Sequence, residues 1–112
     1  MTSTTFWIYG LEKFSLADDG AATSGDSLQV RLAKAYIDHL IHVGQENVPE
    51  EVWTRLQKLR DALATQNPSS GGGSVKVSTS AMNDHEARKW LQEIVSMFTT
   101  VAMEYGAHRD NP

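Results

Sequence analysis

The sequence contains no cysteine. A disulfide framework, a cysteine-ligated zinc or iron–sulfur centre and a thiol nucleophile are therefore all excluded. It also lacks a basic excess: 10 Lys and Arg stand against 14 Asp and Glu, for a net charge of −4. Bulk phosphate binding runs on Lys and Arg, so nucleic acid is not an expected partner. No apolar run approaches the roughly 18–20 residues that span a bilayer, so no membrane partner is expected either. The one apolar block near the N-terminus, Phe6-Trp7-Ile8-Tyr9, has no preceding Lys or Arg and does not read as a secretory signal. The expected compartment is the cytoplasm.

Motifs that carry chemistry are missing as well. There is no Gly-x-Ser-x-Gly elbow, no His-Glu-x-x-His and no phosphate-loop spacing around Gly71-Gly72-Gly73. No residue is assigned a catalytic or metal-binding role, no cofactor is expected, and the chain reads as a non-enzyme.

What is present fits one small domain of 112 residues, 40% of them apolar and 21% charged. Three segments read as helices. The first opens at Asp26 or Ser27 with Gln29 as capping partner, carries Leu28, Val30, Leu32, Ala33, Ala35, Ile37, Leu40, Ile41 and Val43, and ends at His42-Val43-Gly44, where glycine suits a left-handed stop. The second opens at Asn47 with Glu50 as partner and Pro49 in its first turn. Its stripe, Val52, Leu56, Leu59 and Leu63, has 4-3-4 spacing. The third opens at Asn83 with Glu86 and repeats Ala87, Leu91, Ile94, Phe98, Val101 and Tyr105, with Gly106 as its stop and 107–112 as a frayed tail.

The expected fold is mainly α. The first two helices form an antiparallel hairpin, and a flexible Gly/Ser-rich loop over 66–80 leads to the third long helix. Residues 1–25 form an N-terminal arm and loop. Thr4–Tyr9 is aromatic and β-branched, and Val75 and Val77 alternate with polar residues. The arm is thus expected either as a short strand paired with 75–79 or packed over the bundle. Asp18 to Gly25 reads as loop.

Function is expected to be protein interaction: a small adaptor, regulator or inhibitor acting through apolar and aromatic helix faces. Trp53 and Trp90 flank the main stripes of their helices, so they either close the bundle or anchor a partner. Met97, Met103, Val95 and Ala102 widen the apolar surface of the third helix beyond what three helices bury, which points to a homodimer or another protein. The N-terminal arm is the intramolecular alternative for covering that face. Arg55 and Lys58 supply a polar rim. The competing reading is a helical small-molecule or metal site using His39 and His42, three residues apart beside Asp38, with His85 or His108 nearby. The acidic excess gathers in the first 26 residues, where Glu12, Asp18, Asp19 and Asp26 face Lys13 alone.

Overall fold

A computed structural model describes residues 5–23, 25–64 and 71–109. Five helices follow one another: α1 (Thr5–Thr23), α2 (Leu28–Asp38), α3 (Glu50–Ala64), α4 (Gly71–Ser80) and α5 (Asp84–Arg109), with two 3₁₀ turns, Leu40–His42 and Gln45–Asn47, between α2 and α3. At 26 residues and about 1.5 Å per residue, α5 alone is roughly 39 Å long. It sets the long dimension of a body measuring 45 × 29 × 19 Å.

α5 is the spine. α1, α2 and α3 all pack on it, α4 bridges α2 and α3, and α1 also packs on α2 and both 3₁₀ turns. Asp18 near the end of α1 shares a cleft with Leu91 near the start of α5, so these two helices run antiparallel. The buried apolar residues other than Trp7 join in one continuous cluster. The 4-3-4 stripe of α3 lies at its centre, with Val52, Leu56, Leu59 and Leu63 all fully buried.

Several expectations are corrected here. Residues 5–23 of the expected arm are helical and pack over the bundle, and its residues 1–4 and 24 lie outside the described residues. Residues 5–23 form α1, which turns Trp7, Gly10, Phe14 and Ala17 inward at 3-4-3 spacing. Helical burial of four positions outweighs the weak strand preference of Phe6–Tyr9, since strand propensity is mostly a statement about packing context. Residues 71–80 are likewise helical as α4, so no strand pairing with 75–79 exists among the described residues. Residues 66–70 of the expected loop lie outside the described residues.

An α2–α3 hairpin is not among the principal contacts of the bundle. α2 packs on α1, α4 and α5, whereas α3 packs on α4 and α5, so the two are joined through shared neighbours. α2 also stops at Asp38, earlier than the expected end at His42. Gly44 has an extended backbone with φ of −104°, not a left-handed one. At the other end α5 runs through Gly106 to Arg109, so residues 107–109 of the expected tail are helical. The remainder of that tail lies outside the described residues.

The helix starts are part as expected and part reassigned. Ser27 caps α2, its Oγ accepting from the Val30 N–H at 3.2 Å, and Asn83 caps α5, its Oδ1 accepting from the Glu86 N–H at 2.8 Å. Gln29 does not cap. Its side-chain amide donates to the Met82 carbonyl at 3.1 Å and to Asp84 Oδ1 at 3.0 Å, tying the start of α2 to the turn between α4 and α5. Asn47 does not cap α3 either; the Pro49 carbonyl accepts the Trp53 N–H there. Asn47 instead accepts from the Gly44 N–H at 2.7 Å and donates to the Phe6 carbonyl at 3.2 Å, fastening the second 3₁₀ turn onto α1.

Candidate functional site

The proposed partner-binding side chains fall into two groups. Met97 is fully buried, with 0% exposure, and belongs to the core. It is unreachable because α5 is clasped by α1, α2 and α3, so the second apolar row of α5 is used within the chain. Arg55 is also engaged internally. Its Nε and Nη2 donate to the two oxygens of Glu93 at 3.2 and 2.5 Å, and Nη2 and Nη1 reach Ser96 at 2.7 Å and Thr100 at 3.4 Å. The paired hydrogen bond to Glu93 holds the Arg55 guanidinium above its ordinary pKa. Arg55 thus clamps α3 to α5 and is not a free rim charge.

The rest remain at the surface or close to it. Met103 is 69% exposed. Lys58 is exposed and lines a shallow cleft on α3 with Arg60 and Asp61. Trp53 and Trp90 are half-buried and pack against the core. Each ring lies beneath a cation: the Arg60 guanidinium is 5.0 Å from the Trp53 ring centre, and the Lys89 ammonium 5.5 Å from that of Trp90. Both tryptophans close the bundle with their bodies and show an edge to solvent.

Of the four histidines, the side chain of His108 lies outside the described residues. His39 is half-buried, while His42 and His85 are exposed. Among the described residues no group of three His, Asp or Glu side chains is arranged to hold a metal ion.

The exposed apolar residues form two rows, one on α5 and one on α1. On α5, Val95 is 46% exposed and lies between half-buried Leu91 and Phe98. With Ala102 and Tyr105 this gives a 4-3-4-3 row along the flank of α5, and Met103 stands beside it. On α1, Phe6 (54% exposed), Tyr9 and Leu16 line the outer face at 3-7 spacing, and Lys13 between them places its ammonium 5.3 Å from the Tyr9 ring. The signal was present in the spacing of Phe6, Tyr9, Lys13 and Leu16, which becomes visible once the segment is read as helix.

Two clefts flank α2. The one toward α1 and α5 is about 240 Å³, with Leu28, Leu91 and Val95 as its apolar wall and Arg31, Arg88 and Asp18 around it. The other, toward α4, is about 460 Å³ and has Val30, Ala33, Lys34, Ile37 and Asp38 of α2 on one side with Lys76, Thr79 and Ser80 of α4 across from them. Lys34 is held above its ordinary pKa first by its hydrogen bond to Asp26, at 2.9 Å, and further by Asp38.

No helix among the described residues is long and apolar enough to cross a membrane. No family model matches the chain, and no curated protein and no solved structure is similar to it.

Proposed function

We propose that the chain is a small non-enzymatic protein-interaction module that docks through the exposed apolar row of α5, with a second copy of itself as the first partner. The carrying observation is the exposure of Val95 and Met103 on a helix whose Ala87, Ile94, Met97 and Val101 are buried within the bundle. Burying apolar surface contributes about 25 cal/mol per Å², so a row of this kind gains stability from a covering partner. Arg31 and Arg88 at the N-terminal end of the row are suited to carboxylates on the facing surface.

Light scattering across a concentration series tests this. The wild-type mass should rise toward twice the monomer value, and the Val95→Lys/Met103→Lys double variant should stay monomeric with unchanged circular dichroism. Both positions are surface sites, so the fold should tolerate the change. A wild-type chain that stays monomeric throughout rules out self-association through this row.

A further inference from the structure

α4 is the element whose sequence agrees least with its structure. It opens Gly71-Gly72-Gly73 and continues with β-branched Val75, Val77 and Thr79. Each glycine costs a helix about 1 kcal/mol relative to alanine, and helices as short as this are marginal without tertiary support. Its inward face is Val75, Ser78 and Thr79, which includes two buried hydroxyls. Thr79 donates back to the Lys76 carbonyl at 3.1 Å, whereas the Ser78 Oγ has no hydrogen-bond partner among the described residues. Local conflicts of this kind concentrate where a protein does something besides fold, and α4 forms one wall of the 460 Å³ cleft. That volume lies within the roughly 300–1,000 Å³ range of small-molecule sites.

The charges around the cleft are unequally committed. Asp26 pairs with Lys34 at 2.9 Å, while Asp38, on the same wall of the cleft, makes no ion pair among the described residues and acts on Lys34 only through space. Lys76, exposed on α4, takes part in no ion pair among the described residues. Opposite it stands the aliphatic row of Val30, Ala33 and Ile37 on α2.

We propose that the α2–α4 cleft binds a small amphipathic monoanion, a carboxylate on an aliphatic body, with the Lys76 ammonium holding the carboxylate and Val30, Ala33 and Ile37 the body. Because the ligand touches both helices, it stabilises the docked form of α4 by mass action. The site shares only α2 with the α5 docking row and stands independently of it.

Sodium octanoate, kept below its micelle-forming concentration, is the probe, with octan-1-ol and octylammonium as comparators. In amide NMR titrations of the full chain, octanoate should shift resonances of 29–38 and 75–80. It should bind at least about tenfold more tightly than either comparator, the effect of about 1.4 kcal/mol of charge recognition. Hydrogen exchange across α4 should slow in its presence. Lys76→Glu should weaken octanoate at least tenfold and Lys76→Gln by less, both with wild-type circular dichroism. The Val95→Lys/Met103→Lys variant should bind as wild type does. Equal binding of all three probes, preference for octylammonium, shifts confined to other elements, no binding, or undiminished affinity in both Lys76 variants would each overturn the proposal.

Discussion

Gly10 lies so close to the backbone of Asn47 that a single methyl group at position 10 would overlap the Asn47 carbonyl oxygen. The second 3₁₀ turn crosses α1 at this point, and Asn47 bonds the Phe6 carbonyl one turn earlier. A glycine in mid-helix costs about 1 kcal/mol in propensity; here its missing side chain is the space the turn occupies. Gly10→Ala should therefore destabilise the fold despite its better helix propensity. Overpacking of this sort costs about 1–3 kcal/mol, and a domain of this size loses roughly 4–8 °C of Tm per kcal/mol. Thermal unfolding of the variant checks this, and an unchanged or raised Tm would contradict the contact.

The two methionines of α5 should separate sharply on truncation. Met97→Ala empties a fully enclosed site and should cost about 2–5 kcal/mol. Met103→Ala removes a side chain that is mostly in solvent and should stay within about 0.5 kcal/mol of wild type. Urea unfolding of both variants at low protein concentration, where self-association makes no contribution, measures the contrast.

Tyr36 makes the fold sensitive to alkali. Burial raises its pKa above the ordinary 10.0, and the nearby Arg60 guanidinium opposes the shift without cancelling it. The folded state thus holds the phenolic proton more tightly than the unfolded chain does. The resulting stability is complete below pH 10 and is lost as the pH climbs from there through the folded-state value. Tyr36→Phe should flatten this part of the stability profile and remove the latest component of the tyrosinate absorbance titration. A profile that keeps its full alkaline slope in the variant would show that other groups carry it.

The helices legible in the sequence are those whose local signals agree with their packing. Val52, Leu56, Leu59 and Leu63 advertise α3 at 4-3-4 spacing and are all buried, and Asn83 caps α5 as its position suggests. α1 and α4 were unreadable for a shared reason. Their compositions, aromatic and β-branched in one and glycine-rich in the other, favour states that neighbouring helices override. The misplacement of Met97 follows from the first of these errors. Without α1 as a helix, the apolar surface of α5 has too few partners and seems to demand an external one. Val95 and Met103 were legible as apolar positions off the main stripe of α5; what the spacing did not separate was Met97, which the bundle buries, from these two, which stay exposed.

Arg60 gives the connection between α2 and α3 an unusual dependence on distant sequence. Its Nη2 donates to the carbonyls of Leu40, Ile41 and Val43, at 3.3, 3.5 and 2.5 Å, from a position 17–20 residues downstream. Those carbonyls end the first 3₁₀ turn, where an ordinary helix would be stopped by a glycine or a local cap. The turn is therefore closed by a side chain of the helix that it introduces, and its stability is coupled to the docking of α3: whatever loosens α3 takes a partner from three carbonyls of the turn as well.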